Sequence, residues 1–413
     1  MSKIFITGMG IVSAIGNNVP ETLQSLREKR SGIALLRYLK TAHTEFPVGE
    51  VKMTDEEMIK LLQISENAPT TRTSLMGMLA VREALIEAQL IKPLQNTKIA
   101  LISGVTVGGM DKSEQFYLDF LENDSKNAYI STHDCGACTE MIAGYFGIFS
   151  QVDTISTACS SAANAILLGA ELLKSSRADI VVAGGAECIT KFHLNGFNTL
   201  MILDKEPCRP FDATRAGLNL GEGAAYVVME SEEHFKNRTR HLAVLSGYAN
   251  ACDAFHQTAS SPNGEGAYRA MKQALENAGL QPSDIDYINA HGTGTANNDL
   301  SEGTAIQRLF SDKIPTVSST KSFTGHTTSA AGGVEAVISI LALQHNFIPE
   351  NLNFENKMPE LNFEPYVSRY CRIDPQSPEK TEDSFESGND GLQHVLSNSF
   401  GFGGNDTSLI FSI

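Results

Sequence analysis

Asp153-Thr-Ile-Ser-Thr-Ala-Cys159-Ser-Ser-Ala-Ala-Asn-Ala-Ile166 changes character at its cysteine. Before it, Thr154, Ile155 and Thr157 are β-branched and favour an extended strand. After it, Ala162 to Leu173 is built from small and apolar residues at spacings that suit a buried helix. The junction sets a thiol at a helix N-terminus, where unpaired N–H groups and the helix dipole favour thiolate and can hold an oxyanion. The sequence therefore offers Cys159 as a nucleophile, against the competing reading of a small buried hydrophobe.

The same strand-to-helix pattern returns later. Ser156-Thr157 corresponds to Ser319-Thr320, and each pair precedes a small-residue helix, Ala162 to Leu173 and Ser329 to Leu343. Upstream, Ala80 to Leu90 matches Ala270 to Leu280 at an offset of 190 residues, and Gly104 aligns with Gly292 at an offset of 188. Downstream, Ala178 to Gly185 resembles Val395 to Gly404. Four segments repeated in one order predict two similar α/β halves, 1–240 and 241–413, joined in the polar, basic stretch His234 to Arg240. A pseudo-twofold arrangement would bring matching loops together and set Cys159 near His291 and His326.

A strand is expected over 3–8, ending in a tight turn at Gly8 and Gly10, a helix over 20–29, a surface excursion from Lys40 to Glu66, an amphipathic helix over 75–90 and a strand over 99–104. With 413 residues, 42% hydrophobic and 19% charged, the chain is globular. A net charge of -16 argues against nucleic acid as a partner. No apolar run approaches the ~20 residues of a membrane span, so no membrane insertion is expected. Seven cysteines and no export signal suit a reducing, cytoplasmic setting.

His291 lies in Asn289-Ala-His-Gly-Thr-Gly-Thr295, after a strand expected over 285–288, and His326 lies in Ser319-Thr-Lys-Ser-Phe-Thr-Gly-His-Thr327. Both stand at switches from strand to helix, where ligand sites of α/β folds gather. Cys135-Gly-Ala-Cys138 invites a metal or redox reading, but no second CxxC or suitably spaced histidine pair accompanies it.

Thr157-Ala-Cys159-Ser-Ser, His291-Gly-Thr-Gly-Thr295, Lys321-Ser-Phe-Thr-Gly-His326 and Asn398-Ser-Phe-Gly-Phe-Gly-Gly404 resemble the four signatures of β-ketoacyl-acyl-carrier-protein synthases of the type II condensing class. The resemblance runs from Phe5-Ile-Thr-Gly-Met-Gly10 through Arg209-Pro-Phe-Asp212 to Ser408-Leu-Ile-Phe411. It implies a thiolase-like fold with a layered αβαβα core, homodimeric or paired with a paralogue, that extends acyl chains by decarboxylative Claisen condensation. Cys159 would carry the acyl group, while His291 and His326 would drive decarboxylation and hold the enolate. Lys321 and Glu335 would pair and orient the histidine loop. By the same resemblance, Thr293 and Thr295 would meet the phosphopantetheine arm, Phe400 would gate the acyl channel, and Val107 would limit chain length. The backbone N–H groups of Cys159 and Phe400 would form an oxyanion hole. Arg72, Lys126 and Lys205 would dock acyl carrier protein. No metal or nicotinamide is implied, since phosphopantetheine arrives on the carrier.

Two departures stand out. Asn405-Asp406 follows Gly403-Gly404 where the family usually has Thr-Asn, and the loop Met201 to Cys208 is short. They set a specialised polyene or polyketide ketosynthase beside fatty-acid elongation. A non-catalytic chain-length partner would lack the cysteine that this chain keeps. A biosynthetic thiolase would need a second catalytic cysteine, and Cys371 lies outside any matching glycine-rich motif.

Overall fold

The two halves build the same five strands in the same spatial order. In the first, β1 (Ile4–Ser13), β2 (Ile99–Gly104), β3 (Gln151–Ile155), β4 (Ile180–Glu187) and β5 (Gly223–Ser231) lie as β3-β2-β4-β5-β1. In the second, β6 (Ala243–Cys252), β7 (Tyr287–Asn289), β8 (Thr316–Ser318), β9 (His394–Gly401) and β10 (Asn405–Ser412) lie as β8-β7-β9-β10-β6. Within each half the strand next to the first one, β5 or β10, runs antiparallel to both neighbours. The other pairings are parallel. The halves meet where β1 and β6 share two residue pairs, Phe5 with Val244 and Ile6 with Ala243. This computed structural model describes residues 3–413 apart from 93, 95, 237 and 369–390, so Cys371 lies outside the described residues.

Eight helices position the site: α1 (Arg72–Glu87), α2 (Met110–Glu122), α3 (Cys135–Phe146), α4 (Ser161–Lys174), α5 (Lys191–Thr199), α6 (Glu265–Ala278), α7 (Ala296–Leu309) and α8 (Ala331–His345). α4 and α8 pack on each other and on strands of both halves, forming the middle layer. α1 and α6 cover the outer faces, which completes five layers in the thiolase-like arrangement. α8 is buried continuously from Ala331 to Leu343, as a helix apolar on every side must be. Val334, Val337, Ile338, Ile340 and Leu341 each contribute roughly 1.5–3 kcal/mol of burial there.

Three local expectations change. β1 runs straight through Gly8 and Gly10 instead of turning at them. A Cβ at either position would strike the backbone of α1, at the carbonyls of Ala84 and Ala80, so these glycines serve close helix-to-sheet packing. The excursion from Lys40 to Glu66 contains a helix, Asp55–Leu62, opened by a capping box between Thr54 and Glu57. The strand expected over 285–288 is the shorter Tyr287–Asn289. No helix among the described residues is long and apolar enough to cross a membrane.

β2, β3, β7 and β8 are parallel strands within their halves, and the loops leaving their carboxyl ends carry the residues singled out above. That placement gathers side chains more than a hundred residues apart into one cleft.

Candidate active site

Cys159 owes its position to a backbone turn. After β3 ends at Ile155, Ala158 takes a left-handed conformation (φ 51°), costly for a residue with a Cβ. Ser161 holds the turn closed: its hydroxyl accepts from the Thr157 N–H at 2.9 Å and donates to the Ala158 carbonyl at 2.6 Å. The thiol emerges just before Ser160, the residue that precedes α4. It is buried, and the backbone N–H groups of Phe402 and of Cys159 itself face the sulfur. Burial outweighs the pull of the Lys321 ammonium and of these amides and pushes the thiol up to about 11. The helix-start position therefore does not make a resting thiolate, contrary to expectation.

The proton has a destination. His326 Nε2 lies 3.1 Å from Cys159 Sγ. The His326 backbone is pinned at both ends, its N–H donating to Asn219 O at 2.7 Å and its carbonyl accepting from Gly221 at 2.9 Å. Its Nδ1 is buried and has no hydrogen-bond partner among the described residues. Burial, with the Lys321 charge, holds the His326 pKa well below the ordinary histidine range. The imidazole is thus neutral and able to exchange a proton with the thiol.

His291 stands beside it, ring centroids 5.2 Å apart and rings near perpendicular. Lys321 Nζ lies 3.2 Å from His291 Nδ1. An ammonium can only donate, so Nδ1 accepts and the proton of neutral His291 sits on Nε2. Burial, then the Lys321 charge, then His326 keep this ring far below its usual pKa. Two residues not singled out from the sequence hold the loop. Glu302 accepts from the His291 and Gly292 N–H groups at 2.9 and 2.8 Å and from Asn398 Nδ2 at 3.0 Å. Asp299 accepts from Gly294 and from Phe211. Burial raises Glu302 to about 7. Their signal was two carboxylates three residues apart on α7, just after the histidine loop.

Lys321 also pairs with Glu335, both nearly inaccessible, and burial raises that carboxyl to about 7 against the attraction of the lysine. Lys321→Ala would leave Glu335 buried and uncompensated. It is expected to cost about 3–5 kcal/mol in denaturant unfolding, with Lys321→Ala/Glu335→Gln recovering part of the loss.

Thr293 and Thr295 share a hydrogen bond of 2.8 Å and line a cleft of about 300 Å³ that reaches Cys159, His291 and His326. Phe197 and Met201 lie at the same wall, and no Asp, Glu, Lys or Arg is among its described lining residues.

The assignment of Phe400 moves by two residues. Because β9 extends through Gly401, Phe400 is buried, its ring 5.9 Å from that of His291. The amide that meets the sulfur belongs to Phe402, whose half-buried ring stacks on Phe197 at 6.0 Å. Gly403 and Gly404 follow at φ 83° and 75°, conformations that let the chain reverse there. Phe402, not Phe400, combines the amide at the sulfur with a ring only half-buried at the cleft. Phe400 still lines the cleft, but Val107 is not among its described lining residues; it is buried, its N–H directed at Glu187.

Arg72 is corrected as a docking residue. Its guanidinium binds Glu222 at 2.6 Å, Asp55 at 3.0 Å and the carbonyls of Val51 and Met53. Its donors are engaged internally, so it joins elements instead of meeting a carrier. Lys126 lies over the Phe116 ring and Lys205, which is exposed, over that of Phe46. Cys135 donates to the Thr106 carbonyl, Cys138 contacts Thr71, and both are free thiols. The nearest ligand atoms of Cys159, His291 and His326 lie within 4.8 Å of one another, close enough for one ion. A metal would require the thiolate that burial opposes and would face the Lys321 ammonium, so the set fits proton and oxyanion handling better.

The departures at the gate have separate roles. Asn405 Oδ1 accepts from Ser160, Asn164 and Asn250, tying the gate to α4 and β6. Asp406 points the other way, against Gly266 in α6. Burial, then Asp253 and Glu302, raise it to about 8. A carboxyl raised on folding favours the native state most below its unfolded pKa of about 4, and that contribution is lost as pH rises towards 8. Asp406→Asn is therefore expected to match the wild-type Tm near pH 4 and to exceed it increasingly up to about pH 8; melting curves across that range test the sign.

Comparison with known proteins places the whole chain. Residues 1–234 match the family described as "Beta-ketoacyl synthase, N-terminal domain" and 242–355 its C-terminal domain. The "3-oxoacyl-[acyl-carrier-protein] synthase 2" of Coxiella burnetii is 33% identical, covering 99% of this chain and 98% of that protein. Among solved structures, "The ishigamide ketosynthase/chain length factor" superposes with a TM-score of 0.87 at 28% identity, over 100% of this chain and 99% of the other. The "Ketosynthase (ApeO) in Complex with its Chain Length Factor (ApeC)" of Xenorhabdus doucetiae gives 0.80 at 28% identity, over 100% and 98%.

Proposed function

The chain belongs to the β-ketoacyl synthase family of condensing acyltransferases, and on that premise we propose that it joins an acyl group held on Cys159 to a malonyl unit delivered on acyl carrier protein. The observation that carries the reading is His326 Nε2 at 3.1 Å from the buried thiol, with the Nε2–H of His291 beside it. In the first step Cys159 sulfur attacks the thioester carbonyl. The bond from acyl carbon to carrier sulfur breaks, and the thiol proton passes through His326 to the departing thiolate. The amides of Cys159 and Phe402 face the sulfur and are placed for the tetrahedral oxyanion.

In the second step the malonyl carboxylate leaves as CO2, and the electron pair becomes an enolate whose oxygen accepts from the Nε2–H of His291 and from His326, whose Nε2 carries the imidazole proton once the acylated sulfur has none to offer it. A cleft without charged lining gives a carboxylate little solvation, which favours its loss as neutral CO2. The enolate carbon attacks the acyl carbonyl, and the Cys159 sulfur leaves as a thiolate that regains a proton from solvent through His326. Thr293 and Thr295 supply hydroxyls for the phosphopantetheine arm.

Fatty-acid elongation is the first reading of the product. The likeness to two ketosynthases solved with chain length factors, and the Asn405-Asp406 gate, favour a specialised polyene or polyketide chain as the second. Both imply a soluble carrier and two synthase-fold chains, with Lys126 and Lys205 as the remaining docking cations. Assay of condensation across carrier-bound acyl groups separates the readings: activity beyond about C14 favours ordinary fatty acids, and a sharp stop at short unsaturated chains favours the second.

A further inference from the structure

The nucleophile and the amide that faces it arrive on separate elements. Cys159 precedes α4, while Phe402 sits at the tip of the hairpin joining β9 to β10, whose last facing pair is Gly401 with Asn405. Main-chain bonds close the tip on itself, Gly404 N–H donating to the Gly401 carbonyl at 3.1 Å. They also tie it to the segment that follows β6, through Gly403 N–H to the Gln257 carbonyl and Asp253 N–H to the Gly404 carbonyl, both at 2.8 Å. Towards the nucleophile the approach is close: a Cβ on Gly401 would lie 2.9 Å from the Thr157 carbonyl oxygen and 3.3 Å from the Cys159 nitrogen. Across that contact the hydrogen bonds are made by side chains.

Asn405 is the hub of those bonds. Its Oδ1 accepts from Ser160 Oγ at 2.8 Å, from Asn164 Nδ2 at 2.7 Å and from Asn250 Nδ2 at 2.7 Å. Ser160 is the residue next to the thiol, Asn164 lies in the first turn of α4, and Asn250 belongs to β6. Asn164 is fixed in turn: its Oδ1 accepts from Thr407 Oγ1 at 2.9 Å, and its Nδ2 reaches Thr157 Oγ1 at 2.9 Å. A donor stabilises an oxyanion only where the charge develops, and a misplacement of about 1 Å can cost about 10²-fold. Phe402 is followed by two glycines at positive φ, so its amide needs an anchor outside the turn. We propose that Asn405 is a positioning residue for acyl transfer, clasping the hairpin tip to Ser160 so that the Phe402 amide stays where the oxyanion forms. The inference rests on the condensing reading and adds to it a residue outside the described cleft lining.

Asn405→Leu keeps the side chain's bulk and removes the acceptor. In single-turnover reactions of the full chain with the hexanoyl thioester of acyl carrier protein, acylation of Cys159 is expected to slow by about 10- to 10²-fold, less than when a donor is deleted outright. Release of CO2 from malonyl carrier should stay within about twofold, because His291 and His326 are held by Lys321, Glu302 and Asn219, none of them bonded to Asn405. Asn250→Leu should slow acylation by a smaller factor and add nothing to Asn405→Leu, since both act through one oxygen. Acylation at the unaltered rate in Asn405→Leu would overturn the inference, as would equal losses of acylation and CO2 release, or losses that multiply in the double variant. An unaltered chain that takes up no acyl group would instead fail the condensing reading, and the inference with it.

Discussion

His291→Ala is expected to retain the acyl group on Cys159 while condensation falls by about 10²–10³, the usual loss when one preorganised oxyanion donor is removed. The geometry separates the two steps. His326, not His291, touches the sulfur, so acyl transfer keeps its proton acceptor. The Nε2–H of His291, fixed as a donor because Lys321 occupies Nδ1, is lost only to the enolate. Single-turnover measurement of adduct formation and of 3-oxoacyl product, on the same variant, reads both steps. Equal losses in both would reassign His291 to nucleophile activation, and unchanged condensation would remove it from the mechanism.

Cys159→Ala should have the larger effect on the overall reaction, roughly 10⁴-fold or more, because Cys159 is the one thiol among the cleft's described lining residues and the hydroxyls beside it are far weaker nucleophiles. Its partners remain, however. His291 and His326 can still stabilise an enolate, so the variant is expected to release CO2 from malonyl carrier without forming a carbon–carbon bond. Product and radiolabelled CO2 measured in parallel check this. A variant that loses both to the same degree would mean that the sulfur itself takes part in decarboxylation.

The parts of this site legible in the sequence were those written as local patterns. Cys159 announced itself by the switch from β-branched residues to alanines, and the two histidines by glycine-flanked loops after strands. The repeated segments gave the pairing of halves that sets Cys159 against His326, 167 residues away. What failed to show was anything decided by register or by burial. Whether Phe400 or Phe402 meets the thiol depends on where β9 stops: Phe400 lies inside the strand, whereas Phe402 follows its last residue, Gly401, and turns its amide to the sulfur. The helix start at Ser161 predicted a thiolate, but full burial of Cys159 outweighs a partial dipole. Arg72 reads as a free surface cation until Glu222, 150 residues on, is seen to hold it. Glu302 was overlooked for a related reason: its partners are backbone N–H groups, which leave no mark in composition.

The central claim is that Cys159 carries the acyl group. Its most direct test is the intact mass of the protein after incubation with an acyl carrier thioester, followed by mapping of the modified peptide. One acyl group per chain, on the peptide containing Cys159 and released by hydroxylamine as a thioester, is the predicted result. An unmodified protein, or an acyl group on any of the other free thiols such as Cys135 or Cys252, would contradict it.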